Sequence, residues 1–178
     1  MIMSDRLPER VNPYRLADQG RVLEGSYPLN LMPRLAEAIY EAAGEARVRM
    51  AFSRSPSGLA LIEGQIEAML ALTCQRCLGR LDYPVDTTFL VALLPDEATA
   101  SSLLEEYDAM VVPEELFIRD FIEDELMLSV PQIPRHEHLE DCDEKMQAYL
   151  HKEFENEAAL GGKPKNPFEA LSSLKSKH

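Results

Sequence analysis

Gln65-Ile66-Glu67-Ala68-Met69-Leu70-Ala71-Leu72-Thr73 and Tyr83-Pro84-Val85-Asp86-Thr87-Thr88-Phe89-Leu90-Val91-Ala92-Leu93 decide the fold. In the first run Ile66, Ala68, Leu70 and Leu72 recur every second residue; in the second Tyr83, Val85, Phe89, Val91 and Leu93 do so, with Thr87 between. That period belongs to strands with one face toward a core. Upstream, Arg47 to Ser53 repeats it with Val48, Met50 and Phe52. Ser55-Pro56-Ser57-Gly58 is turn chemistry before a strand starting near Leu59, and Cys74 to Arg80 joins the next two runs. Links this short predict an antiparallel meander. Gly64 interrupts the Leu59 to Leu72 run and marks a bulge or a close backbone approach.

Helical spacing flanks this sheet. Leu31, Leu35, Ile39 and Ala42 follow Asn30 and Pro33, predicting a helix from Pro33 to Ala43 that Gly44 ends. Ile118, Phe121, Ile122, Leu126 and Ser129 predict another over Ile118 to Ser129, broken by Val130-Pro131. Ala109 to Val112 has the composition of a short strand, after a polar loop from Pro95 to Ser102. The expected class is α+β: a small antiparallel sheet or partly closed barrel packed by helices.

Residues 1–160 are read as one domain. Asp141 to Leu160 carries a weak helical stripe of Met146, Tyr149, Leu150 and Phe154, and residues 161–178 form a flexible tail with four lysines. At 46% hydrophobic and 28% charged the composition is globular. Neither a signal peptide nor a run of roughly 20 apolar residues is present, so the expectation is a soluble, cytoplasmic protein with no membrane partner.

The net charge of −13 lies in one block. Residues 1–95 sum to −1, residues 96–160 to −15 and residues 161–178 to +3. A phosphate backbone gains from released counterions only where Lys and Arg neutralise it, so direct RNA contact by the middle of the chain is disfavoured. A basic protein partner suits that block, because complementary charge speeds encounter and rejects wrong partners.

Cys74-Gln75-Arg76-Cys77 is the most suggestive chemical motif. Two thiolates two residues apart on a turn can face one tetrahedral zinc, and Cys142 with His136 or His138 would complete four ligands. The pair is also open to two other readings: a redox couple, the weaker one because it would want a helix N-terminus where a strand is predicted, and structural or inert thiols. Asp120, Glu123 and Asp124 stand at i, i+3 and i+4, with Glu125 beside them. Like charges at that spacing repel, so they are either a solvated face or a site for a basic partner or a cation. Arg47, Arg49, Arg54, Arg76 and Arg80 are candidates for a basic patch touching RNA phosphate, or ordinary surface residues. Phe168, Leu171 and Leu174 in the tail would dock on the body or anchor a partner.

Three stretches in order carry a resemblance: Thr73-Cys74-Gln75-Arg76-Cys77-Leu78; Phe121-Ile122-Glu123-Asp124-Glu125-Leu126-Met127-Leu128-Ser129-Val130-Pro131; and Lys163-Pro164-Lys165-Asn166-Pro167-Phe168-Glu169-Ala170-Leu171-Ser172-Ser173-Leu174-Lys175. Together they resemble the YceD family, whose members are called large ribosomal RNA subunit accumulation proteins. The resemblance implies a role in synthesis, processing or stability of 23S ribosomal RNA, with a large-subunit ribosomal protein or precursor particle as partner and no catalytic activity. Some relatives look richer in cysteine after the Pro-x-x-Pro segment, whereas this chain keeps Cys142 with nearby histidines.

Overall fold

A computed structural model describes residues 7–96, 107–149 and 152. It divides into two compact units, residues 1–136 and 137–178. In the first, the order is β1 (Arg10–Val11), α1 (Pro13–Asp18), β2 (Val22–Pro28), a 3-10 turn (Leu29–Leu31), α2 (Pro33–Ala38), β3 (Glu45–Arg54), β4 (Ala60–Thr73), β5 (Arg80–Leu94), β6 (Asp108–Val111), β7 (Leu116–Phe117) and α3 (Ile118–Ser129). The main sheet runs β2-β3-β4-β5-β6, and β1 pairs with β7 in a two-stranded sheet. This is the expected α+β class.

The β3-β4-β5 meander is antiparallel, as the alternation predicts, with Val48 opposite Ile66 and Ala68 opposite Val85. One face of each strand is buried: Val48, Met50 and Phe52, then Ile62, Ile66 and Leu70, then Val85, Phe89 and Val91. Helix α1 packs on β3 and β4, and α3 on β4 and β5, so the helices lie against strands whose inner rows are apolar. The Ser55–Gly58 turn forms as its composition asks, with Gly58 at φ +87 and its N–H donating to the Ser55 carbonyl at 2.9 Å.

The last strand departs from the meander. β6 pairs parallel to β5, Val91 opposite Asp108 through Leu94 opposite Val111, which makes the sheet mixed and open rather than closed toward a barrel. A parallel neighbour needs a crossover instead of a hairpin, and the long polar connection after β5 supplies it.

Helix α2 ends at Ala38, not Ala43. Ile39 is extended at φ −104 and ψ 163, and the Tyr40 N–H donates to the Ala71 carbonyl at 2.7 Å. Another helical turn would gain a few tenths of a kcal/mol per residue at best, whereas a buried Ile is worth about 2 kcal/mol. Ile39 is 8% exposed where it lies, so packing decides the end. Gly44 still takes a positive φ, +90, but as the turn into β3.

Gly64 is a close approach and not a bulge, since the register runs unbroken through Met50, Gly64 and Phe89. A Cβ there would stand 2.3 Å from the Arg49 carbonyl oxygen and 2.5 Å from Phe89 Cζ. The Phe89 ring fills that space and meets Phe121 edge-on, centroids 5.0 Å apart. Gly64→Ala is therefore expected to destabilise by about 3 kcal/mol, the upper part of the range for overpacking. Urea unfolding measures it, and a loss under about 1 kcal/mol would show that the strands part easily.

In the second unit Leu139–Asp141 is a 3-10 turn, and residues 144–149 are helical, with the Lys145 N–H capped by Asp143 Oδ1 at 2.9 Å. The expected tail, residues 161–178 with Phe168, Leu171 and Leu174, lies outside the described residues. Among those described, no helix is long and apolar enough to cross a membrane.

Candidate metal centre

The link between β4 and β5 is a tight knuckle. The Cys74 N–H donates to the Gly79 carbonyl at 2.9 Å and the Leu78 N–H to the Cys74 carbonyl at 2.8 Å. Closing the loop this way puts Leu78 at φ +59, a region that costs a bulky side chain about 1–2 kcal/mol. The strain is met by what the loop presents. Sγ of Cys74 accepts backbone N–H groups from Arg76 at 3.4 Å and from His136 at 3.5 Å.

His136 arrives on the segment after α3, which the Gln75 N–H ties down by donating to the Pro134 carbonyl at 2.7 Å. The Pro-x-x-Pro stretch thus serves as a strap, holding extended backbone against the knuckle. The His136 ring is fixed at both nitrogens: Nε2 lies 3.1 Å from the Arg80 carbonyl oxygen, and Nδ1 lies 3.5 Å from Cys77 Sγ. A carbonyl only accepts, so Nε2 carries the proton and Nδ1 turns its lone pair toward the thiols. Metal-binding histidines are oriented in this way.

Cys74 Sγ, Cys77 Sγ and a His136 ring nitrogen lie within 4.8 Å of one another, and both cysteines are buried. Zn–S and Zn–N bonds of about 2.3 and 2.05 Å give a tetrahedron whose S···N edge is about 3.5 Å. The Cys77–His136 separation of 3.5 Å equals that edge. Burial pushes the Cys74 thiol up, but backbone N–H groups of Cys77, His136 and Arg76 outweigh it and bring the pKa down to about 6. Soft and borderline donors, converging on one point with a thiolate favoured, fit zinc. A redox pair at a helix N-terminus is not what the loop builds, because β5 and not a helix follows it.

Cys142 belongs to the second unit. It is buried, its N–H donates to the Leu139 carbonyl at 3.1 Å, and its own carbonyl accepts from Gln147 Nε2 at 2.6 Å. The sequence reading names His136, with His138 as its alternative; the ring facing the cysteine pair is that of His136, six residues before Cys142.

The acidic cluster on α3 is not the open surface its spacing suggests. Glu123 points inward, its side chain 2% exposed, with Oε1 accepting the Leu35 N–H at 3.0 Å and Oε2 the Arg34 guanidinium at 3.0 Å. Arg34 also holds Asp124 at 2.6 Å, and Asp120 is held by Arg119 at 2.7 Å. Glu123 therefore has to be removed from the surface set offered to a basic partner. Its counter-charge sits on α2, a pairing that α3 alone does not disclose. Glu125 is partly buried, and that burial, with Asp108 and Asp124 nearby, holds its carboxyl above the usual range.

The arginines do not form a free basic patch either. Arg49 pairs with Glu24 at 2.9 Å, Arg54 with Asp18 at 2.8 Å, and Arg80 with both Asp82 and Glu41. Arg47 and Arg76 stand on β3 and in the knuckle. Phosphate would have to displace carboxylates from Arg49 and Arg80, which lowers the counterion-release gain.

Residues 62–175 match the family model described as "Large ribosomal RNA subunit accumulation protein YceD". The chain belongs to the YceD family. The match begins inside β4 and takes in the knuckle, α3 and the strap, so the candidate centre lies within the family region. The "Large ribosomal RNA subunit accumulation protein YceD" of Haemophilus influenzae is 29% identical over 174 residues, covering 97% of this YceD-family chain and 98% of that protein. No solved structure matches.

Proposed function

We propose that this protein is a noncatalytic factor in large-subunit ribosome biogenesis that supports synthesis, processing or stability of 23S ribosomal RNA. The observation that carries this is membership of the YceD family, together with similarity over nearly the whole chain to a protein of that name. The mode of action is binding of a basic ribosomal protein or a precursor particle in the cytoplasm. Two features support it: the −15 block of residues 96–160, and the carboxylates that hold Arg49 and Arg80 away from phosphate. Bare rRNA is the weaker partner on the same grounds. Asp120, Asp124 and Glu125 remain the α3 residues proposed to face a cationic partner, with Phe168, Leu171 and Leu174 as a tail anchor.

The test is cosedimentation. The tagged chain is expected to migrate with large-subunit precursors in a gradient, and its deletion to lower 23S relative to 16S ribosomal RNA by about twofold or more, enough to be read from total RNA. Unchanged 23S with no particle association would refute the reading.

The convergence of Cys74, Cys77 and His136 favours a second reading within the first, a structural zinc rather than thiol-dependent activity. Cys142 is the proposed fourth ligand: six residues from His136, it is tethered within about 20 Å of that ligand and supplies the thiolate that the set lacks.

A further inference from the structure

The reading of a basic protein partner leaves open where that partner binds. β5 is 15 residues long, but β6 covers only Val91 to Leu94 of its outer edge. Among the described residues, Leu81 to Leu90 have β4 on one side and no strand on the other. Pro84 sits in this stretch opposite Met69, and a proline within a ladder turns its missing donor to the open side. The part of the edge that can accept a strand is therefore Val85 to Leu90, about 20 Å of unpaired backbone.

The side chains beside that edge are of one sign. Asp86 on β5 and Glu63 and Glu67 on β4 are exposed, and Asp86 stands directly across from Glu67; Asp82, at the start of β5, is held by Arg80 at 2.8 Å. Like charges directly opposed across a ladder cost stability unless something cationic lies between. Gln65 Nε2 donates to Asp86 at 2.6 Å, which satisfies an oxygen without neutralising it. Of the cations of this face, Arg47 and Arg49 stand one strand further in, with Arg49 held by Glu24, and Arg80 at the start of β5 is held by Asp82 and Glu41. Next to the edge, a depression of about 450 Å³ opens between Arg49, Glu63, Gln65, Thr88 and Leu90, with the Arg49 charge taken up by Glu24. It offers a carboxylate at one wall and an apolar surface at another, which suits a long basic side chain with an aliphatic stem.

We propose that Val85–Leu90 of β5 is a strand-addition site for an extended lysine- or arginine-rich segment of a partner protein, with one basic side chain lodged against Glu63. Main-chain bonds would supply affinity, and the carboxylates of Asp86, Glu67 and Glu63 would select for cations. The occupant is a partner rather than the chain's own β5–β6 connection, because residues 97–106 carry Glu97, Glu105 and Glu106 and no basic residue, and would be repelled.

The probe is a synthetic extended peptide alternating lysine with valine and threonine, added to the full chain, with a glutamate-for-lysine peptide as control. Amide hydrogen exchange is expected to slow by about tenfold or more at Asp86, Thr88 and Leu90, whose N–H groups share the open side with the Pro84 nitrogen, with the lysine peptide alone, since newly bonded amides exchange only on opening. Glu63→Lys combined with Asp86→Lys, both at exposed positions, is expected to weaken binding by about tenfold or more. Binding without new protection at Asp86, Thr88 and Leu90 would mean loose electrostatic adhesion and overturn the proposal. So would Asp86, Thr88 and Leu90 amides already protected in the free protein, which would mean the chain fills its own edge. The peptide arms decide the edge. Because the inference rests on the biogenesis reading, gradients run in parallel separate the two: wild type that cosediments while the peptide fails leaves the function standing and removes this site.

Discussion

Purified protein is expected to carry about one zinc per chain, and Cys74→Ser to carry none, because a tetrahedral structural site that loses a thiolate keeps too few ligands to hold the ion. The expectation follows from geometry already set by the backbone. Two N–H groups point at Cys74 Sγ, the Arg80 carbonyl fixes the His136 tautomer, and the Cys77–His136 separation equals a zinc tetrahedron's edge. An ion bound only by the folded chain stabilises it through mass action; with free zinc a thousandfold above the dissociation constant, that is about 4 kcal/mol. Chelation should therefore lower the melting temperature of the wild type and leave Cys74→Ser unmoved. Metal analysis and thermal unfolding with and without chelator measure the two effects. A metal-free wild type, with stability indifferent to added zinc, would reduce the cluster to packed thiols. Cys142→Ser separates three ligands from four: if it retains zinc at wild-type affinity, the fourth ligand is not Cys142.

The residues that alternate in sequence are those the structure makes into the meander, since period two is a property of the strand itself and survives any packing. Helix α3 was legible for the same reason, its apolar spacing and its terminating Val130-Pro131 being local signals. What escaped depends on distant residues. β2 holds Gly25 and ends in Pro28, and its pairing with β3 exists only because β3 offers an edge. β1 and β7 are two residues each, too short to carry a period. The parallel placement of β6 rests on a crossover, not on its four residues.

The site was half legible. Cys74 and Cys77 announce a knuckle by spacing, but spacing gives no physical ground for His136 over His138; the contact of the His136 ring with Cys77 supplies it. The acidic helix misled in a specific way. Spacing of three and four shows that Asp120, Glu123 and Asp124 share a side of α3, and it cannot show that Arg34 approaches that side from a helix 86 residues earlier. A single arginine in the first turn of α2, where a Met precedes the proline and no cap residue is present, was the available signal.

That missing cap sets the last expectation: Glu123→Ala should cost about 3 kcal/mol, far more than any other acid-to-neutral change on α3. Helix α2 begins behind Met32, whose side chain makes no capping bond, so its first-turn amides lack a local acceptor. Glu123 supplies one from across the packing: Oε1 takes the Leu35 N–H at 3.0 Å, in a place where Leu35 is fully buried and water cannot substitute. Removing the carboxylate strands that amide, at about 1–3 kcal/mol, and empties a filled space beside Leu35 and Ile122. The Arg34 arm faces water and can rehydrate, so it adds little. Asp120→Asn and Asp124→Asn alter exposed pairs and should each stay within about 0.5 kcal/mol of wild type. Glu123→Gln keeps an acceptor for Leu35 and should fall between. Urea unfolding of the four variants at neutral pH orders them. If Glu123→Ala unfolds with the wild type, the carboxylate is not the cap, and α3 regains a face of three acids for a cationic partner. If instead Asp120→Asn and Asp124→Asn lower 23S ribosomal RNA without loss of stability or of particle binding, those two carboxylates act in RNA processing and not in holding the partner.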